Sequence, residues 1–498
     1  MRHQYATLWI WIFILPLAVD YKATDANTGH FAQFVFVLPV VAAGIGLALI
    51  APRFRERSRL RSIVTISMLM CVFGSVLTQM IQDNDTGNYL RVLLPFMLFL
   101  LGYVVACRPW SEYRISQFEK AIFVANVICL LFTFAFGMAT GGDLEDVRFR
   151  ILSVTLLGLQ GVLLHEFVVA KRFSFFTVGI FAVSVIVELL SVTRSMMLGT
   201  ILLFVLVLAL CAPSIRYVWR AGARSVIVLA VLAGVAGIAT VAFPTVTEHW
   251  AQRIFASQET PSGRDPTTIT RLAEIRDQYD QVTATPEALL FGQGYGHYYR
   301  YSPLYLPDLA GQFSEKDFYA VNEWAAGHNF WVYQFFAGGL LFGVAMPLAS
   351  LAALVICIFS YRYWRSVVPD APLLPVLGRA IMLFAALPAT SIGGNPLGPR
   401  FSGLIFGLAL GLMVATHARL QRALPARKRR MPTPPHLRPA AMPELPGRIQ
   451  PGMGRADLAT TLGSPSTART ASSVSGNFGA LVPHKPSAHR TDRQDIVR

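Results

Sequence analysis

Charge is scarce in this chain: Asp, Glu, Lys and Arg make up 14% of 498 residues, while hydrophobic residues make up 54%. Soluble domains carry about a quarter charged residues. The deficit excludes an ordinary soluble enzyme and points to apolar runs that cross roughly 30 Å of hydrocarbon. Cysteine is scarce too. The 5 cysteines (Cys71, Cys107, Cys129, Cys211, Cys357) fall within or at the ends of apolar runs, so neither a disulfide framework nor a cysteine metal site is legible. No small-residue cleavage site follows the first apolar run, 5–21, which reads as a retained helix. No repeat of clear period is visible.

What is present is a series of apolar runs. Backbone groups in lipid must be satisfied within their own segment, which demands helices. The fold expected is all-α and polytopic, with about twelve spans at 5–21, 30–51, 62–81, 89–107, 118–138, 150–169, 173–190, 196–212, 224–243, 328–359, 373–391 and 401–418. Residues 1–243 then hold nine helices, 244–327 form a large outer loop with short helices, 328–418 hold three more helices, and 419–498 are a basic tail.

The net charge of +15 is not a nucleic-acid signature, because of where it lies. Residues 419–498 hold 14 Lys/Arg and 4 Asp/Glu, whereas 244–327 hold 6 Lys/Arg and 11 Asp/Glu. The short connections alternate as well. Arg53 to Arg61, Arg108 to Lys120, Lys171 and Arg172, Arg216 to Arg224, and Arg362 and Arg365 form a basic set. Asp20 and Asp25, Asp83 and Asp85, Asp143 to Asp146, the long loop, and the segment from Ser391 to Arg400 form the other. Basic connections face the cytoplasm, which puts both termini inside and the long loop outside. From 425 onward too few apolar residues remain for a core, and disorder is expected, with Arg427 to Arg430 against anionic headgroups.

Several outer positions carry chemistry. Arg194 lies between two apolar helices in Ser191-Val192-Thr193-Arg194-Ser195. It either snorkels to a headgroup or binds phosphate. Arg271 opens an amphipathic helix, where pairing with Glu274 three residues on is the plain alternative. The run Leu290-Phe291-Gly292-Gln293-Gly294-Tyr295-Gly296-His297 has no preceding strand or evident following helix, so it reads as a tight turn returning the loop to the membrane rather than a nucleotide loop. His328, in Gly327-His328-Asn329, starts a membrane helix and is structural or catalytic. Arg400 is a lesser outer cation, and Asp83-Asn84-Asp85 is a candidate for a divalent metal, although acidic outer loops arise from topology alone.

In order, Arg194, Arg271-Leu272-Ala273-Glu274, the glycine run, and Gly327-His328-Asn329 before Gly338-Gly339-Leu340-Leu341-Phe342-Gly343 resemble the O-antigen ligase and O-antigen polymerase family of bacterial envelope glycan assembly. The resemblance covers about residues 190–345. A departure stands at Ala337, where many relatives carry an acidic residue. The resemblance implies a metal-independent and cofactor-free glycosyltransferase of the bacterial inner membrane. It would move a glycan from undecaprenyl pyrophosphate to a glycan or lipid A-core acceptor on the periplasmic face. Arg194 and Arg271 are then assigned to the pyrophosphate, since guanidinium forks match phosphate oxygens. His328 is the general base, because an imidazole titrates near neutral pH. Glu274, Asn329 and Arg400 support them. The rival from another class is a transporter or flippase of the same lipid-linked glycan; carriers place charges at the midplane and show repeats, whereas here charge gathers at the outer face.

Overall fold

The computed structural model of the chain describes residues 2–20, 30–54, 57–141, 150–211, 244–255, 263–309 and 314–430, with isolated helical positions between 226 and 241. About 80% of the described residues are helical. Among the described residues the only extended pairing is one antiparallel bridge between Tyr299 and Glu323. In chain order the helices are α1 (Arg2–Ile14), α2 (His30–Ile50), α3 (Arg59–Gln82), α4 (Thr86–Ala106), α5 (Glu112–Gly141), α6 (Ser153–Leu164), α7 (Phe175–Leu190) and α8 (Arg194–Cys211). Then come α9 (Pro244–Phe255), α10 (Pro266–Thr283), α11 (Pro286–Phe291), α12 (Glu315–Ala320), α13 (Phe330–Gly338), α14 (Ala345–Val367), α15 (Leu374–Thr390) and α16 (Ser402–Arg430).

Seven segments are long and apolar enough to cross a membrane: α3, α4, α5, α6 with its continuation to Ala170, α8, α14 and α16. Five shorter apolar segments stand beside them, Tyr5–Val19, Phe36–Ile50, Phe175–Leu190, Phe330–Gly343 and Leu374–Thr390. Most of the expected span 224–243 lies outside the described residues, as do Arg55, Asp25, Asp143, Glu145, Asp146, Arg216, Arg220, Arg224 and the tail from 431. The disorder expected from 425 begins too early, because α16 stays helical to Arg430.

Hydrogen bonds sort the connections into two ends, as the charge pattern leads one to expect. At one end the α3–α4 turn holds the long loop: Gln82 Nε2 donates to Gly292 O, Asn84 Nδ2 to Gln293 O and Asn88 Nδ2 to Tyr298 OH. Asp20, after α1, accepts from Phe401 N at 3.3 Å, and Trp250 of α9 donates to Leu189 O at the end of α7. At the other end Arg419 donates to Trp110 O, and Arg365 to Leu210 O.

The centre of the bundle is α16, 94% of whose apolar window is buried. Its stripe Gly403, Gly407 and Gly411 faces α4, and a methyl group at Gly407 would strike the Phe99 carbonyl. Lipid tails supply no hydrophobic drive between helices, so close backbone approach and dispersion hold such a pair together.

The span expected at 328–359 is not one helix. It breaks after α13 into a wide turn, Gly339–Gly343, before α14. Gly339 has φ +59°, a conformation that glycine adopts without a Cβ clash. The glycine run docks on the break: Gln293 N donates to Phe336 O at 2.8 Å, and Gly294 N to Ala337 O at 3.0 Å. Gly292, at φ +81°, lies against the Ala337 and Gly338 backbone, where any side chain would collide. The loop therefore supplies the hydrogen bonds that the broken helix loses, which is the returning turn expected from sequence and the reason a break in the apolar region is tolerated.

Candidate functional site

The loop end of the bundle carries the site, and α10 is its scaffold. Asp265 caps α10, accepting from Thr268 N at 3.1 Å, and Pro266 occupies the first position, where a missing N–H costs nothing. Two turns of this helix then present Arg271, Glu274 and Gln278 along one side, three and then four residues apart, spacings that share a face. Glu274 is only 2% exposed.

Glu274 is held by the segment carrying His328. His328 Nδ1 lies 2.7 Å from Glu274 Oε2, the His328 backbone N donates to Glu274 Oε1 at 2.7 Å, and Gln278 Nε2 donates to the same oxygen at 3.2 Å. An ionised carboxylate only accepts, so the hydrogen on Nδ1 points at Glu274 and the lone pair of a neutral ring sits on Nε2. The His328 side chain is 60% exposed, so that nitrogen faces the open side. Gly327 makes the approach possible: a methyl group there would run into Glu274 Oε1 and Gln278 Nε2. The Arg271 and Glu274 pair expected along one helix face does not form as an ion pair; Glu274 spends its oxygens on His328 and Gln278.

Arg271 lies one turn before Glu274. Its Nε is buried without a hydrogen-bond partner. Burial works against its charge and lowers its pKa, opposed by Asp265 and Glu274 and reinforced by the like charge of Arg194. Arg194 is thus within electrostatic reach of Arg271, and its Nη2 donates to Asp265 Oδ1 at 2.6 Å. The carboxylate of Glu274 is felt on the opposite side too, where burial first and Glu274 second raise the pKa of Tyr301.

Arg194 begins α8 after a strained corner. Val192 has φ +46°, a region a β-branched residue pays of order 1–3 kcal/mol to occupy. The corner is braced by Ser191 Oγ donating to Glu188 O at 2.7 Å and Thr193 Oγ1 donating to Ser191 O at 2.9 Å. Strain that persists beside a candidate ligand cation is the pattern of a backbone built to aim a side chain.

The structure therefore links the four in series: Arg194 is bonded to Asp265, Arg271 feels the charges of Asp265, Glu274 and Arg194, and Glu274 is bonded to His328. Asn329 has a different duty. Its side chain accepts from Trp331 N and Val332 N, both at 3.0 Å, which caps α13 and fixes the backbone that carries His328. Arg400 belongs to the α15–α16 connection, which packs on the start of α8 through Gly393 against Ser195, but no contact joins Arg400 to the other four. Asn84 and Asp85 are spent on structure. Asp85 caps α4, Asn84 Oδ1 accepts from His297 Nδ1 at 2.7 Å, and no cluster of three or more metal-ligating side chains occurs among the described residues.

Two features escaped the sequence reading, one in the site and one outside it. Asp265 shows there only as a helix-cap signal before Pro266, and nothing local links it to Arg194, 71 residues away. The second is a cluster at the far end of the bundle, where Arg379 meets Glu119 with both Nε and Nη2 at 2.8 Å and Glu166 with Nη1 at 3.1 Å. Charge is therefore not confined to the loop end, as the sequence suggested. Compared with protein-family profiles and with curated proteins, the chain matches none.

Proposed function

We propose that the chain is a metal-independent membrane glycosyltransferase that moves a glycan from a polyprenyl-pyrophosphate donor to an acceptor hydroxyl at the loop end of the bundle. One observation carries the reading. An exposed imidazole is oriented by a buried carboxylate on the same helix that places a hydrogen-bond-deficient arginine one turn away. The acceptor oxygen attacks the anomeric carbon and the bond to the pyrophosphate oxygen breaks. The hydroxyl proton passes to His328 Nε2, which Glu274 keeps free by accepting from Nδ1. Glu274 also stabilises the imidazolium that results. Negative charge grows on the departing pyrophosphate, where Arg271 and Arg194 meet it with fixed donors.

In the fuller reading the bundle has twelve spans in the bacterial inner membrane, with both termini cytoplasmic and the long loop periplasmic. The grouping of connections supports it, since the acidic α3–α4 turn meets the loop, Asp20 meets the start of α16, and basic Arg419 reaches Trp110 further along α16. The count of twelve depends on a crossing between Cys211 and Pro244, which falls outside the described residues.

The test is reconstitution of the full chain in proteoliposomes with undecaprenyl-pyrophosphate oligosaccharide and two acceptors, lipid A-core and free repeat-unit glycan. Product is expected with one acceptor, undiminished by EDTA. Movement of donor between leaflets with no product from either acceptor would overturn the reading in favour of a flippase.

A further inference from the structure

A polar ring lies inside the bundle below the Arg194 corner, and none of its side chains belongs to the site described above. It joins three helices: Gln160 of α6, Glu188 of α7 and Thr200 of α8, whose relative exposures are 0%, 3% and 9%. Gln160 Nε2 is 2.7 Å from Glu188 Oε2, Thr200 Oγ1 is 2.7 Å from Gln160 Oε1, and the same Oγ1 is 2.8 Å from Glu188 Oε1. Thr200 Oγ1 also lies 3.2 Å from Met196 O.

Counting protons decides the state of the carboxyl group. Thr200 has one hydroxyl proton, yet its oxygen is within bonding distance of three oxygens, those of Gln160, Glu188 and Met196. If Glu188 were ionised, that proton would serve either Gln160 or Glu188, and the other contact would be two bare oxygens held together in a buried place. Turning the Gln160 amide over does not help. Its oxygen would then face Glu188 Oε2, and that contact would lack a proton instead. A proton on Glu188 closes the ring in both orientations. In the first, Glu188 donates to Thr200, Thr200 to Gln160 and Gln160 to Glu188; in the second, each bond runs the other way.

We infer that Glu188 is a protonated carboxylic acid, and that its closed ring with Gln160 and Thr200 is a positioning device for Arg194. No charged side chain among the described residues is hydrogen-bonded to it. The ring sits one turn before the strained Val192 corner on α7 and two turns after it on α8, so it clamps both arms of the turn to α6. Ser191 Oγ, bonded to Glu188 O, continues the brace into the corner. A neutral acid suits this place, because a closed ring of hydrogen bonds satisfies every member without burying net charge. The protonation rests on geometry alone, whereas the consequence for Arg194 rests on the proposed glycosyl transfer.

Infrared difference spectroscopy on the full-length protein in lipid, wild type against Glu188→Gln, tests the protonation without reference to activity. A carboxylic-acid carbonyl band that shifts in D2O is expected in wild type at neutral pH and should be absent from Glu188→Gln. A difference spectrum showing only a carboxylate pair would overturn the inference. Donor kinetics then test the positioning. Glu188→Gln can close the same ring and should leave the donor KM within about twofold, whereas Glu188→Ala should raise it about tenfold and change kcat less. An unchanged KM in a folded Glu188→Ala protein would remove the positioning role while leaving the protonation result to stand by itself.

Discussion

The two ends of the bundle handle arginine in opposite ways. At the far end Arg379 gives Nε and Nη2 to Glu119 and Nη1 to Glu166, so a single guanidinium is covered on three nitrogens by two carboxylates. At the loop end Arg271 has a buried Nε with no partner, and the nearby Glu274 is committed to His328 and Gln278 instead. A covered cation is a fastener. An uncovered one, held beside an oriented and exposed imidazole, retains the hydrogen-bonding capacity that an anionic ligand needs.

That contrast sets the order of expected effects. His328→Ala removes the base and should lower kcat about 10²- to 10⁴-fold with the fold intact, read as product formed per reconstituted protein. Arg271→Ala should fall in the same range, but Arg271→Lys should recover part of the loss through charge without the fork. Glu274→Gln keeps the shape but loses the carboxylate that fixes the Nδ1 hydrogen, so kcat should drop about 10- to 100-fold while the donor KM changes little.

Arg379→Ala, at the other end, should do the reverse. It strands two carboxylates and should destabilise the protein by about 2 kcal/mol, read by thermal melting, with near-normal transfer from the molecules that remain folded. The smallest effect concerns His297, the last residue of the glycine run. Burial lowers its pKa from 6.5, with Asp277 opposing. The unfolded chain therefore takes up the proton first as pH falls, and stability should decline below about pH 6.5. His297→Asn should flatten that slope.

Much of this architecture was legible in the chain. Seven of the apolar runs form helices long enough to cross a bilayer, and described connections meet in groups, the α3–α4 turn with the long loop and Trp110 with Arg419. The split between α7 and α8 at Ser191 to Thr193 stands where the polar residues interrupt the run. The break after α13 was not legible, because the residues from Phe330 to Val355 are apolar but for Gln334 and Ser350 and hydropathy cannot see a change of backbone direction. Gly338-Gly339 was the available signal, but it gains meaning only with the glycine run docked on it. In the site, Arg194 and His328 stood out as polar residues at apolar borders, and Arg271 as a cation opening an amphipathic helix of the loop. The link from His328 to Glu274 spans 54 residues and that from Arg194 to Asp265 spans 71, distances over which spacing carries no information. Glu274 was weighed as the helix partner of Arg271; folding gives it to His328, since the Gly327 backbone can approach where a side chain could not.

The most direct measurement compares the two ends in one assay: single-turnover transfer from undecaprenyl-pyrophosphate oligosaccharide by wild type, His328→Ala and Arg379→Ala, each normalised to folded protein. The account predicts that Arg379→Ala turns over like wild type and that His328→Ala forms at most about one hundredth as much product in the same time. Equal rates for wild type and His328→Ala would contradict it.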